Sequence, residues 1–150
     1  MATSNQFPIH HAVAPVNTVA RFIRVLVVDD MPAMAETISS ILAMYPWVRV
    51  VGTAKDGLAA IKTALATAPD LLVMDINMPV MNGLRAAMHI KRRLPDTRII
   101  LVSSDDDPAV ALAAMDCGAD GFLPKAKLAS RGDWHIRRLF GDNVDVLPVP

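Results

Sequence analysis

The chain has 150 residues, with equal numbers of acidic and basic side chains. Of all residues, 53% are hydrophobic although only 5% are aromatic. This length supports one domain with an aliphatic core, and zero net charge gives no indication of nucleic-acid or anionic-membrane binding. No apolar run could span a membrane, no secretory leader is evident, and the single cysteine, Cys117, excludes an internal disulfide. We therefore expect a cytoplasmic protein.

From Arg24 onward, short apolar runs that predict strands alternate with periodic segments that predict helices. The predicted strands are 24–28, 48–51, 71–74, 98–102 and 121–124. The predicted helices are 32–44, 57–68, 84–94, 108–117 and a short last one at 133–140. Five strand–helix units in succession predict an α/β fold with a doubly wound, five-stranded parallel sheet.

Three segments are predicted along the chain. Residues 1–21 contain Pro8 and Pro15, which break any periodicity, so we interpret them as a flexible arm; the adjacent His10 and His11 lack further ligands for a metal. Residues 22–141 form the predicted domain, and 142–150 form a tail. Too few residues follow Lys125 for a second domain, so we expect any output to use this domain's own surface.

Polar side chains follow four of the predicted strands. Asp29 and Asp30 follow the first strand, Asp75 ends the third, Ser103 follows the fourth, and Lys125 follows the fifth. Because the carboxyl ends of parallel strands meet at the edge where α/β sheets bind ligands, these groups are expected to converge. Three carboxylates in one cleft need a cation, and oxygen ligands without His or Cys favour Mg²⁺.

The same cluster predicts phosphoryl chemistry. Protein-bound Mg²⁺ is usually completed by phosphate oxygens and water. The Lys125 ammonium and the Ser103 hydroxyl could each bind a phosphoryl oxygen. A carboxylate can itself be the nucleophile and form an aspartyl-phosphate, with catalysis coming largely from positioning and electrostatics.

Over residues 22–140 the chain resembles the receiver domain of two-component response regulators. The resemblance rests on one ordered set of residues: Asp29-Asp30, Asp75-Ile76-Asn77-Met78-Pro79 with Gly83 after it, Ser103, and Phe122-Leu123-Pro124-Lys125. No single element is specific, but the ordered combination is. The resemblance implies a flavodoxin-like sheet with strand order 2-1-3-4-5.

The resemblance also implies a role for each residue. Asp75 would accept a phosphoryl group from the phosphohistidine of a histidine kinase or a phosphotransfer protein. Asp29, Asp30, Asp75 and the backbone carbonyl of Asn77 would bind Mg²⁺, and Lys125 would contact the phosphoryl group. The protein would not otherwise be an enzyme.

Ser103 and Phe122 would form the switch. On phosphorylation Ser103 would move toward the phosphoryl group and Phe122 would turn inward. These moves would reshape the face formed by the fourth helix, the fifth strand and the fifth helix, and a protein target would read the change. We expect a stand-alone receiver of the chemotaxis-protein kind, with a homodimer possible and no nucleic-acid or membrane partner.

Some features depart from the commonest family pattern. Ala126 follows Lys125, where many receivers have proline. The sequence Ser130-Arg131-Gly132-Asp133 predicts an interrupted last helix, which weakens the expectation that this face forms a dimer. Asn77 and Asp105 are candidates for setting the lifetime of the phosphoryl group.

Other interpretations of the same residues remain open. Asp29 could cap the first helix, the basic run Lys91-Arg92-Arg93 could be a solvated helix end, and Trp134, Arg137 and Arg138 could form a small partner patch. A Mg²⁺-dependent phosphohydrolase would want an acid two residues after its nucleophile, where Asn77 stands here, and a cap over its site. A receiver-like module could also bind partners without phosphorylation.

Overall fold

The computed structural model describes residues 22–141, so the predicted arm at 1–21, including His10 and His11, and the tail at 142–150 lie outside the described residues. Strands and helices alternate as the sequence predicts. The strands are β1 Ile23–Val28, β2 Val48–Ala54, β3 Leu71–Asp75, β4 Arg98–Ser103 and β5 Gly121–Pro124. The helices are α1 Pro32–Ala43, α2 Gly57–Thr67, α3 Gly83–Arg93, α4 Pro108–Asp116 and α5 Leu128–Phe140.

The five strands form one parallel sheet in the order β2-β1-β3-β4-β5, which confirms the predicted doubly wound α/β fold and its strand order. Strand β3 pairs with β1 on one side and β4 on the other, and all five of its residues are buried. A central strand covered on both faces needs a continuous apolar sequence, and Leu71 to Met74 supply it.

Alternate strand residues point to two separate cores. Val25 and Val27 lie in one core under α1 and α5, whereas Leu26 and Val28 lie in the other under α2, α3 and α4. This two-residue alternation places one helical layer on each face of the sheet. Both layers leave the carboxyl ends of the strands accessible at one edge.

Strand β2 is longer than predicted, because it continues through Gly52 to Ala54 rather than ending at Val51. Its register with β1 shifts by one residue, so that Val25 pairs with Val50 but Leu26 pairs with Gly52. A β-bulge of this kind places two residues opposite one and bends the strand. The sequence alone does not reveal this pairing, since it depends on the neighbouring strand.

The prediction of a short, interrupted last helix was wrong. Helix α5 runs without a break from Leu128 to Phe140, after a single 3₁₀ turn at Lys125–Lys127. Gly132 is buried in it, and a Cβ there would lie 3.4 Å from both Leu128 Cδ1 and the Tyr45 hydroxyl. Helix α5 is held by the burial of Leu128 and Ile136 in the core, and that packing outweighs the cost of about 1 kcal/mol of glycine in a helix.

Among the described residues, no helix is long and apolar enough to cross a membrane.

Candidate functional site

The ammonium group of Lys125 joins two buried carboxylates at the edge of the sheet. Its Nζ lies 2.7 Å from Asp29 Oδ2 and 3.1 Å from Asp75 Oδ2. The three residues come from the ends of β1, β3 and β5, so the parallel topology brings together groups that are far apart in sequence. This geometry fulfils the predicted convergence of Asp29, Asp75 and Lys125.

Asp29 is held as an ion-pair partner rather than as a helix cap. Its Oδ1 accepts a hydrogen bond from the Met31 N–H at 2.9 Å, and the residue at the N-cap of α1 is Met31, which makes no side-chain capping bond. The buried Oδ2 accepts no well-aligned hydrogen bond, so its charge is compensated by the Lys125 ammonium. An incompletely satisfied buried carboxylate oxygen is a natural ligand for a cation.

Burial and ion pairing act in opposite directions on the two central groups. Desolvation raises the pKa of Asp75 above its usual value, even though hydrogen bonding and attraction from Lys125 oppose the rise. Burial alone would lower the pKa of Lys125, but the Asp29 and Asp75 carboxylates overcome that effect and raise it. The lysine is therefore held in its charged form beside the carboxylate that needs a counter-charge.

A divalent cation fits the same pocket. One carboxylate oxygen from each of Asp29, Asp30 and Asp75 lies within 4.8 Å of the others, and Asp30 is exposed at the mouth. Hard oxygen donors with open positions suit Mg²⁺, which keeps some of its water. Asp29 Oδ2 contacts the Lys125 ammonium but accepts no well-aligned hydrogen bond, so it keeps acceptor capacity for an ion.

The backbone after Asp75 is fixed by two contacts. The Asn77 N–H donates to Asp75 Oδ1 at 3.2 Å, and the Ile76 N–H donates to the Val102 carbonyl at 3.0 Å. Asn77 itself is exposed beside the site. The first bond holds the Asp75 carboxylate, and the second holds the backbone that follows it.

Ser103 and Phe122 lie on the two strands beyond β3. Ser103 is fully buried at the end of β4, pairs in register with Pro124, and accepts the Asp105 N–H on its Oγ at 3.1 Å. Phe122 is half-buried and packs against the core under α2, α3 and α4. Both positions suit the predicted switch, and their roles stay predictions.

Sequence reasoning gave Gly83 no physical role in the site. A Cβ on Gly83 would lie 2.2 Å from the Asp75 carbonyl oxygen, so only glycine lets the start of α3 approach the Asp75 backbone this closely. Asn82 caps α3, which begins one residue before the predicted start at 84, by accepting the Arg85 N–H. The sequence signal that could have indicated this close approach is a glycine that follows an aspartate at a strand end.

The loop above the site also contains a strained residue that the sequence did not reveal. Val80 has a φ of 68°, and the Met81 N–H donates across it to the Pro79 carbonyl at 2.7 Å. This is a γ-turn of the rare positive-φ type, which is costly for a β-branched residue. No local pattern predicts valine in such a conformation.

Two basic groups differ from their sequence-based interpretation. Lys91 is not part of a solvated helix end, because its Nζ lies 2.7 Å from Asp120 Oδ2 and donates to the Thr97 carbonyl. Arg137 lies over the buried Trp47 ring and pairs with Asp133, so it does not share one exposed patch with Trp134. Arg138 does lie over the Trp134 ring, at 5.4 Å.

Comparison with known proteins agrees with this geometry. The family model described as "Response regulator receiver domain" matches residues 25–131. A protein-glutamate methylesterase/protein-glutamine glutaminase of Pseudomonas fluorescens is 45% identical over 105 residues, which is 69% of this chain and 28% of the relative. The corresponding Thermotoga maritima protein is 43% identical, over 70% of this chain and 31% of the relative. The chain thus spans less than a third of the length of these curated relatives.

Solved structures give the same result. The response regulator domain of Thermotoga maritima CheB superimposes with a TM-score of 0.73 and 35% identity, covering 85% of this chain and all of that one. The receiver domain of NarL from Mycobacterium tuberculosis gives a TM-score of 0.72 and 33% identity, covering 81% of this chain and 98% of that one. The chain therefore belongs to the response regulator receiver domain family.

Proposed function

We propose that this receiver accepts a phosphoryl group on Asp75 from a histidine kinase or a phosphotransfer protein, and that phosphorylation switches its contacts with a target protein. The observation that carries the proposal is the Lys125 ammonium between Asp29 and Asp75. A structural ion pair would need one carboxylate, whereas a second buried carboxylate beside an exposed Asp30 suits a site for a cation and a phosphoryl group.

In the proposed reaction, a carboxylate oxygen of Asp75 attacks the phosphorus of the donor phosphohistidine. The new O–P bond forms as the N–P bond breaks, and the leaving imidazole nitrogen keeps the electron pair and takes a proton from solvent. The Asn77 N–H and the Lys125 ammonium hold the Asp75 carboxylate in position. Lys125 would also bind a phosphoryl oxygen and offset its developing charge.

Asp29, Asp30, Asp75 and the Asn77 carbonyl are the residues that would hold Mg²⁺. The ion would supply charge neutralisation for the phosphoryl oxygens and the Asp75 carboxylate. Asp29 would then need to share its Oδ2 between Lys125 and the ion, which its missing hydrogen bond allows. The protein performs no other catalysis in this proposal and acts in the cytoplasm.

The output would use Ser103 and Phe122. The Ser103 hydroxyl now accepts the Asp105 N–H, and moving toward a phosphoryl group would exchange that bond for one to a phosphoryl oxygen. Phe122, at the half-buried edge of the core, would fill the space that Ser103 leaves. The two states would differ at α4, β5 and α5, where a partner would distinguish them.

A receiver can act alone or control another domain. We propose first that this receiver acts alone. The similarity to protein-glutamate methylesterases favours a second candidate, in which this receiver controls an esterase domain in the same or another chain.

The first experiment measures the intact mass of the full chain after incubation with Mg²⁺ and acetyl phosphate. We expect one labile phosphoryl adduct on the wild type and none on Asp75→Asn, whereas Asp106→Asn, an exposed acid on the same edge, should be labelled normally. An adduct that persists in Asp75→Asn would contradict the assignment of the phosphoacceptor.

If neither acetyl phosphate nor a panel of phosphorylated kinases labels a folded wild type, the phosphorylation-independent module becomes the better explanation. A phosphohydrolase would instead turn over p-nitrophenyl phosphate, and we expect no such turnover.

A further inference from the structure

Helices α2 and α3 lie side by side on one face of the sheet. The Gly57 N–H donates to the Met81 carbonyl at 3.1 Å, and a Cβ on Gly57 would meet the Met81 side chain within 2.8 Å. The buried faces of both helices are built mostly from glycine and alanine: Gly57, Ala60, Ala64, Gly83, Ala86 and Ala87. Small residues let the helices sit deep on the sheet, so their outer faces form one shared surface.

Large apolar side chains are exposed on that shared surface. Leu58 and Leu65 on α2 are 52% and 41% exposed, and Met88 on α3 is 44% exposed. Leu58 and Leu65 are seven residues apart, so they lie two turns apart on one side of α2. Three large apolar side chains exposed on two adjacent helices exceed the single scattered ones that need no explanation, and this favours a binding surface.

The charged side chains within α2 and α3 all have one sign. Lys62, Arg85 and Arg92 are exposed on the outer faces, at helical spacing from the apolar residues, and His89 lies beside them. Neither α2 nor α3 contains an acidic residue. Asp56 stands at the start of α2, but its carboxylate caps that helix by accepting the Ala59 N–H. A neutral chain thus places an unbalanced positive charge around an apolar strip.

We propose that this α2–α3 platform, formed by Leu58, Lys62, Leu65, Arg85, Met88 and Arg92, docks an acidic amphipathic segment of a partner protein. The apolar face of such a segment would cover Leu58, Leu65 and Met88, and its Asp or Glu side chains would pair with the three cations. Methionine and leucine adapt to different helical ligands, which suits a groove of this kind.

Two other occupants fit the observations less well. A second copy would bring two positive platforms together, and like charges across an interface are costly. An anionic membrane would attract the cations, but neither α2 nor α3 carries the aromatic residues that usually anchor interfacial helices. An acidic protein segment satisfies both the apolar and the charged part of the platform.

The platform goes beyond the proposed phosphorylation switch, because it lies away from α5 and from the Trp134 side of the domain. It is nevertheless linked to the site, since the start of α3 contacts the Asp75 backbone at Gly83. The docking proposal does not require phosphorylation, so it can be tested on the unmodified chain.

The test is NMR titration of the full, ¹⁵N-labelled chain with a synthetic helical peptide that has leucines at i, i+3 and i+7 and flanking glutamates. Control peptides carry the same residues scrambled, or lysine in place of glutamate. We expect shift changes centred on α2 and α3. Arg85→Glu and Met88→Ser should each weaken binding about tenfold, since one lost contact of this kind amounts to about 1.4 kcal/mol.

Matched control variants lie elsewhere on the surface. Leu112→Ser removes a 64% exposed leucine from α4, and Arg131→Glu reverses an exposed cation on α5. Neither should alter the titration. Equal weakening by the controls, equal binding of the lysine peptide, or no shifts on α2 and α3 would overturn the proposal.

Vesicles of phosphatidylserine and phosphatidylcholine test the membrane alternative. We expect the wild type to co-sediment with these vesicles no more than Arg85→Glu does. If the wild type binds vesicles but not the peptide, and Arg85→Glu abolishes the vesicle binding, the assignment to a protein partner would also be overturned.

Discussion

The Lys125 ammonium lies closer to Asp29, at 2.7 Å, than to Asp75, at 3.1 Å, although Asp75 is the proposed phosphoacceptor. The lysine therefore spans the pocket and neutralises the more deeply buried acid as well as the reactive one. This arrangement makes Lys125 a structural counter-ion in the unmodified protein, in addition to any contact with a phosphoryl group.

Replacing Lys125 with methionine should destabilise the fold in metal-free buffer. The change keeps the packing of the side chain but leaves Asp29 and Asp75 without their counter-charge. We expect a cost of about 3 kcal/mol in the free energy of unfolding. This is the low end of the range for a broken buried ion pair, because Asp30 opens the pocket to water. Urea unfolding measures the loss, which added Mg²⁺ should reduce. Lys127→Met, at an exposed lysine nearby, should be close to neutral. Equal losses in both variants would refute the counter-ion role.

Replacing Gly83 with alanine should disturb both stability and the site. The new methyl group would lie 2.2 Å from the Asp75 carbonyl oxygen and 3.0 Å from the Ile76 Cα, so backbone must shift, at a cost of about 3 kcal/mol. Thermal unfolding and acetyl phosphate labelling report the two effects. Gly52→Ala has its nearest contact at 3.7 Å and should change stability by less than about 1 kcal/mol. A stable, normally labelled Gly83→Ala protein would contradict the close approach.

Replacing Val80 with glycine should stabilise the unmodified protein. Val80 is 75% exposed, so the change removes little packing, and it relieves the strain of a β-branched residue at a φ of 68°. We expect a gain of about 1 kcal/mol, measured as a higher melting temperature. Val80→Asn should give part of the gain, since asparagine tolerates this conformation, and Val80→Ile should give none. A lower melting temperature for Val80→Gly would show that the turn is not strained.

His135 should make the stability depend on pH. Burial is the main cause that lowers its pKa below the usual 6.5, and the positive charges of Arg138 and Arg131 lower it further. The unfolded chain therefore binds the proton more readily, so stability is complete above about pH 6.5 and falls as the pH drops through the folded pKa.

Urea unfolding at pH 7.5 and pH 5.5 should show that loss in the wild type, and His135→Gln should reduce it. The contribution of one histidine is at most about 1.4 kcal/mol per pH unit. Ser130→Gln, at an exposed position of α5 that carries no ionisable group, is the matched control and should leave the pH dependence unchanged. A His135→Gln protein with the wild-type pH profile would exclude His135 as the cause.

Much of the site could be predicted because its residues follow apolar runs. Leu71 to Met74 can only be a buried segment, so a carboxylate placed directly after it at Asp75 must lie at a strand end. The same reasoning placed Asp29 and Lys125, and the alternation with helices implied parallel strands whose ends meet.

Other features could not be predicted, because they depend on contacts with residues of other helices and strands. From the sequence alone, Gly132 predicts a break in the helix, but α5 packs against Tyr45 and continues. Lys91 is likewise predicted to be a surface lysine, but Asp120 lies beside it. The bulge in β2 depends on the register of β1 in the same way. For Gly132 the local cost is about 1 kcal/mol, and the packing of α5 exceeds it.

The sequence by itself determined the fold class, the family and the identity of the acids, the hydroxyl and the lysine at the strand ends, because apolar periodicity and residue order are local properties. Only the tertiary structure decided that Lys125 pairs with Asp29 more closely than with Asp75, that Val80 is held in a strained turn, and that Leu58 and Met88 are exposed on two adjacent helices. These relationships join residues from different elements, and their distances follow from packing, which no single segment encodes.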